Sequence, residues 1–429
     1  MLKRFFFNKW NSTSKLAKET DAPLIADDQS LNPFNEICIL TGHEDIINII
    51  KVIDETRLAS SADDNLVIIW DFENGDLLHR LHGHTRPVTS MLVHQRKELN
   101  SLESSSVLYT ASSDKSIRIW DSNDGICMNV IDGLSSAVKC LVSLNREEFT
   151  FSLAEEICAW NIKGKLLCEE KLLQYDSDIH GILPIKNNKL VLAFNHPSLV
   201  VYTLTEVLRT KSLKFHSLLR PHENDVRCLR GISDDSFVSG SLDGEIIVWS
   251  SLSLQPMKRV NNQREFNYLQ NYDMVQHLFV LDLRFVFAAI GSGFFVYDAL
   301  SGKCVAQRLM CHHSKISYIE LLKPRHMLVT CSEDGTVRLW GSQEKRFPSD
   351  EFSSIEHFLG KSLSEITSVI TEPQLLGECL GHSGAVRMLA DFGVDGFASC
   401  ASDGNIILWK DGWRERERRF ELATSLLFS

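Results

Sequence analysis

Five times along this chain of 429 residues a histidine, a hydroxyl and an aspartate recur at matching intervals. These are the side-chain types that make a nucleophile, its base and the acid that orients the base. The sets are His43, Ser60 and Asp64; His84, Thr110 and Asp114; His222, Ser239 and Asp243; His312, Thr330 and Asp334; His382, Ser399 and Asp403. Each ends on a tryptophan six residues after its aspartate, at Trp70, Trp120, Trp249, Trp340 and Trp409. A catalytic triad occurs once, beside an oxyanion hole and a pocket. Fivefold recurrence at one spacing reads instead as structure: a buried chain of indole N–H, hydroxyl, imidazole and carboxylate tying together the strands of a repeated unit. Leaving any of these groups buried and unpaired costs roughly 1–3 kcal/mol, so a complete set rigidifies its unit.

Other chemical signals are weak. The sequence has no G-x-x-x-x-G-K-[ST] loop, no H-E-x-x-H and no dinucleotide fingerprint. Gly291 and Gly293 in AIGSGFF imitate a glycine-rich loop without the strand–turn–helix setting, and His312 beside His313 reads as one structural and one surface histidine. No acidic cluster has metal-ligand spacing. The eleven cysteines contain no C-x-x-C pair and read as reduced thiols serving as small core hydrophobes. The reading is therefore of a protein that is not an enzyme, with no cofactor and no metal. No convergent titratable set is legible for a central channel.

The elements that carry these residues are short apolar runs closed by tight turns, such as Glu73-Asn74-Gly75 and Asn123-Asp124-Gly125. In SADDNLVIIWD, ASSDKSIRIWD, GSLDGEIIVWS, CSEDGTVRLWG and ASDGNIILWK the pattern resembles the WD40-repeat family, which implies an all-β propeller of four-stranded antiparallel sheets. Three degenerate repeats end at Trp160, Tyr202 and Tyr297. The eight closing aromatics are 50, 40, 42, 47, 48, 43 and 69 residues apart, so the expectation is eight blades, with seven if one degenerate segment is a long loop. Blades three, four and six, lacking the full polar set, are expected to rely on apolar packing alone.

Three regions follow. Residues 1–35 form a basic, aromatic tail and linker. Residues 36–410 form the propeller, in which Glu36-Ile37-Cys38-Ile39-Leu40 supplies a closing strand to the last blade, and residues 341–374 are read as a flexible insertion between blades seven and eight. Residues 411–429 form an amphipathic helix with Trp413, Phe420 and Leu427 at seven-residue spacing and Glu415 in reach of Arg418 and Arg419. The first 18 residues carry +5, leaving -16 on the rest of a chain whose formal charge is -11. That balance argues against a nucleic-acid binder living on phosphate contacts. No stretch approaches the roughly 20 apolar residues of a spanning helix, so membrane insertion is not expected.

The order of intact and degenerate repeats is similar to one branch of the WD40-repeat family over roughly residues 31–420. NPFNEICIL, AVKCL, ICAWN, FVFAAIGSGFFVYD and ASDGNIILWKDGWRERERR carry the resemblance. It implies a non-catalytic subunit of a complex with two DENN-domain proteins of the longin type, acting on small GTPases of the Rab and Arf kinds in autophagy and lysosomal signalling. It further implies a cytoplasmic protein recruited to lysosomal membranes through a membrane partner, with the two chain ends making the contact. Ile37, Ile39, Trp413, Phe420 and Leu427 are the candidate partner-binding residues. The rival reading is a substrate receptor of a cullin-RING ubiquitin ligase. Such receptors often carry an arginine two positions after Trp-Asp, where this chain has Glu73 and Asn123.

Overall fold

The computed structural model describes residues 31–96, 105–144, 149–161, 163–172, 179–207, 210–220, 222–260, 274–343 and 353–428. Residues 1–30, most of the tail read from the sequence, lie outside that set.

Thirty-two strands form eight four-stranded antiparallel sheets. Blade one runs through Ile47–Val52, Arg57–Ala62, Val67–Asp71 and Asp76–Leu81. Blades two to seven repeat the plan in chain order. The first strands of the eight sheets pack against one another in cyclic order and surround the axis. The ring therefore has eight blades, not seven. The second and third strands are the most buried, for example Arg57–Ala62 and Phe285–Ile290, because both of their faces lie between neighbouring blades. That explains their near-continuous apolar runs, whereas outermost strands such as Cys127–Ile131 alternate.

The eighth sheet consists of Val386–Asp391, Gly396–Ala401, Asn405–Lys410 and, as its outermost strand, Glu36–Thr41. Ile37 pairs with Trp409 and Ile39 with Ile407, so the start of the propeller closes its end. Leu40 is buried among residues of blades one and eight, including Ile50, Leu58, Ile406 and Leu408.

The insertion at 341–374 differs from its sequence reading in two ways. The chain leaves the third strand of blade seven at Gly341 and returns as that blade's outermost strand, Gln374–Cys379, so the insertion lies within blade seven. Its second half is folded rather than a flexible loop. Helix α1 (Ser354–Leu359) and helix α2 (Leu363–Ile366) bury Ile355, Phe358, Leu359 and Ile366 with Phe287, Phe294 and Trp340. Each helix starts at a capping box: Glu356 accepts from the N–H and hydroxyl of Ser353, and Glu365 does so from Ser362. The segment then bridges the outer edge of blade six, where Thr371 exchanges backbone hydrogen bonds with Val305 and Gln307. Residues 344–352 lie outside the described set.

Candidate partner-binding surface

Four of the five polar sets form inside their blades as the spacing predicts. In blade one, Trp70 Nε1–H donates to Ser60 Oγ at 2.8 Å, Ser60 meets His43 Nε2 at 2.8 Å, and His43 Nδ1 meets Asp64 at 2.8 Å. A carboxylate only accepts, so Nδ1 carries the proton and Nε2 accepts the hydroxyl, which leaves the serine proton committed. Blade two repeats this with Trp120, Thr110, His84 and Asp114. Burial works to raise the Asp114 carboxyl, but Ser116, His84 and the Thr85 N–H outweigh it and hold the group at about 2. Blades seven and eight repeat it with Trp340, Thr330, His312 and Asp334, and with Trp409, Ser399, His382 and Asp403. The hydroxyls are fully buried, and burial lowers each imidazole from its usual value. These are structural networks with no accessible nucleophile.

Blade five departs from the pattern. His222 Nε2 meets Ser239 at 2.6 Å and Trp249 donates to Ser239, but His222 Nδ1 meets Glu245 at 2.9 Å, not Asp243. Asp243 instead accepts from Asn224 Nδ2 and from the Glu245 N–H, and so shapes the turn. Glu245 is longer by one methylene and sits two residues on, so it reaches the ring while Arg259 pairs with its other oxygen.

Blades three and six do not rely on apolar packing alone. In blade three Trp160 Nε1–H donates to Ser152, and Thr150 is bonded by His94 from the innermost strand of blade two. In blade six the buried Asp298 is held by Arg284 through two hydrogen bonds, 2.7 and 2.9 Å, and by Ser301. Burial raises the Asp298 carboxyl, yet these donors keep it at about 2. The AIGSGFF segment is the tight turn between the second and third strands of this blade. Among the described residues no group of three His, Cys, Asp or Glu is placed to hold a metal, and no helix is long and apolar enough to cross a membrane.

Residues 33–36 meet the C-terminal helix beside blade eight. Helix α3 (Gly412–Phe428) begins where Asp411, fully buried and paired with Arg325, accepts the N–H groups of Trp413 and Arg414. Gly412 N–H donates to Pro33 O, and a Cβ there would meet the Asn35 side chain, which would have to turn aside. The helix docks through its charged side. Arg418 donates to Glu73 O and Asn74 Oδ1 on the turn of blade one, Arg419 reaches Glu36, and Glu415 lies near Lys410, Arg418 and Arg419.

On the helix's other side Trp413 is 69% exposed and Phe420 73%. On the closing strand Ile37 is 51% exposed and Ile39 54%, on the face opposite Glu36, which Arg419 reaches. Leu427 lies in the last turn of α3, but its side chain is outside the described set. Four of the five candidate partner residues are thus exposed, two on the helix and two on the closing strand.

A family model for the WDR41 β-propeller matches residues 1–419. The chain belongs to the WDR41 family. It is 30% identical to human WD repeat-containing protein 41, over 93% of this chain and 92% of that protein, and 30% identical to the mouse protein over the same shares. Among solved structures, the computationally designed Ika8 protein aligns with a TM-score of 0.63 at 21% identity, covering 86% of this chain and 98% of that one, which speaks to the fold alone. As a WDR41-family propeller, the chain fits a scaffold or adaptor role.

Proposed function

We propose that this WDR41-family propeller is the non-catalytic adaptor of a complex with two DENN-domain proteins of the longin type. That complex regulates small GTPases of the Rab or Arf kind in autophagy and lysosomal signalling. The adaptor works from the cytoplasm and reaches lysosomal membranes through a membrane partner. The observation that carries the reading is that the elements at the ring's closure leave apolar side chains exposed, Ile37 and Ile39 on the closing strand and Trp413 and Phe420 on the helix docked by Arg419 to that strand's Glu36. Scattered exposed apolar residues are ordinary, but aromatic anchors beside an open strand edge, rimmed by Arg418 and Arg419, have the make-up of a protein–protein hot spot.

Affinity purification of the full chain tests this, beside Trp413→Ala/Phe420→Ala and Ile37→Asp/Ile39→Asp. The expected result is that the DENN-domain partners co-purify with the full chain and are lost from both variants, while thermal melts stay within a few degrees. Recovery of a cullin-ligase adaptor in place of DENN-domain proteins would overturn the reading in favour of a ligase receptor.

A further inference from the structure

In blades one, two and seven an arginine guanidinium lies over the residue that precedes the network histidine. In blade one Arg80 donates to Gly42 O at 2.9 Å. In blade seven Arg338 donates from Nη1 to Cys311 O and from Nε to Glu378 Oε1 at 2.7 Å. In blade two Arg118 lies against Gly83, where a Cβ would stand 2.5 Å from Nη1. Here the partners are missing. Among the described residues Arg118 makes no hydrogen bond or ion pair, and its Nε is buried without an acceptor.

The strand register shows why. Arg338 stands directly across from Glu378 on the outermost strand of blade seven. Arg118 stands directly across from Val130 on the outermost strand of blade two, Cys127–Ile131. Directly opposed residues share one face of a sheet, so Val130 occupies the place from which an acid answers the arginine in blade seven. Val130 is exposed, as are Met128, two residues back in the same alternation, and Ile126 just before the strand. A cation that lacks its carboxylate thus borders an apolar strip.

The edge beside that strip is open as well, because Cys127–Ile131 is the last strand of its sheet. Blade six shows what such an edge accepts. Thr371 lies along Cys304–Arg308, its N–H donating to Val305 O and its carbonyl accepting from Gln307 N–H. Cys304 pairs with the closing Tyr297 as Cys127 pairs with Trp120, so the equivalent groups on blade two are Met128 O and Val130 N–H. Val130 N–H is held by the neighbouring Asn129 Oδ1 at 2.9 Å, a contact that an incoming carbonyl replaces in kind.

We propose that the outer edge of blade two is a docking site for an extended apolar segment of a partner protein that carries an aspartate or glutamate. The segment adds a fifth strand along Met128 and Val130 and rests its apolar side chains on them. Its acid gives Arg118 the carboxylate that Glu378 gives Arg338. This surface is separate from the closing strand and α3.

The test pans a displayed library of random twelve-residue peptides against the full chain and measures the recovered peptides by fluorescence polarisation. They are expected to bind saturably and to share one acid between β-branched or aromatic residues. Exchanging that acid for its amide should weaken binding at least tenfold, as should Arg118→Met. Val130→Glu supplies the acid within the chain, so it should lose at least tenfold as well while melting no lower than the wild type. It also stands in for Arg118→Met should that variant not fold. Ile37→Asp/Ile39→Asp should bind as the wild type does, which separates this site from the seam. Recovered peptides without a shared acid, equal binding to Val130→Glu, or a dimer of the chain that Val130→Glu dissolves would overturn the proposal.

Discussion

The imidazole of His222 is oriented by Glu245 at 2.9 Å, while Asp243, at the position that serves in the other four sets, faces Asn224. Blade five should therefore answer to substitution differently from blades one and two. Glu245→Ala strips a buried imidazole of its acceptor and should cost about 1–3 kcal/mol. Asp243→Ala loses hydrogen bonds to an exposed partner and the following N–H, and should cost about 1 kcal/mol or less. In blade two the order reverses, since Asp114→Ala removes the acceptor of His84 itself. Denaturant midpoints of the three variants decide this; an equal loss for Glu245→Ala and Asp243→Ala would contradict the geometry.

The same histidines set the response to acid. His43, His84, His222, His312 and His382 are lowered by burial, His222 to about 4, below the unfolded value near 6.5. Between those limits the unfolded chain binds protons that the folded chain refuses, so stability falls as pH drops from about 6.5 toward 4. His222 alone should contribute a loss of roughly 2–4 kcal/mol across that window. Asp114, held at about 2, adds its loss only below about 3.8. Glu320 works the other way: its raised carboxyl takes up a proton in the folded state as pH falls through about 7. Urea midpoints measured from pH 8 to 4 should therefore decline below 6.5, and more steeply in Glu320→Gln than in the wild type. A flat profile would mean the histidines are not held neutral.

What could be read before any coordinates follows from where the selecting force is local. Burial of a Trp, His and hydroxyl in one blade fixes residue types at fixed spacings, so eight units and their strands were legible from the repeat. The same logic misplaced Asp243, because spacing selects the nearest aspartate, whereas reach selected Glu245. In blade three the indole turned to Ser152, two residues along from Thr150, and His94 of the preceding blade bonds the threonine. The folded half of the insertion was within reach, since Ser353–Glu356 and Ser362–Glu365 are both S-x-x-E boxes ahead of apolar residues.

That insertion should behave as core. Phe358 is fully buried and packs against Phe287 of blade six at 5.6 Å between ring centroids, with Trp340 of blade seven in the same cluster. Phe358→Ala should cost about 3–5 kcal/mol, as for other buried phenylalanines. Limited proteolysis should spare residues 353–373 in the wild type and cut there in the variant. Cleavage of the folded wild type within α1 would show that these helices are not docked.

The closing strand has one face buried and one exposed, so closure and the proposed recognition can be tested separately. Along Glu36–Thr41, Leu40 points into the core shared by blades eight and one, whereas Ile37 and Ile39 stand more than half exposed. Leu40→Ala should leave a cavity at the seam and cost about 2–4 kcal/mol, seen as a lower melting temperature with or without a partner. Ile37→Ala and Ile39→Ala remove little buried area and should each cost less than about 1 kcal/mol. If the seam is a docking surface, the isoleucine variants should lose partner affinity at unchanged stability, with Leu40→Ala losing stability first. Should Ile37→Ala and Ile39→Ala instead melt as low as Leu40→Ala, the exposed face would be serving closure and could not be assigned to a partner.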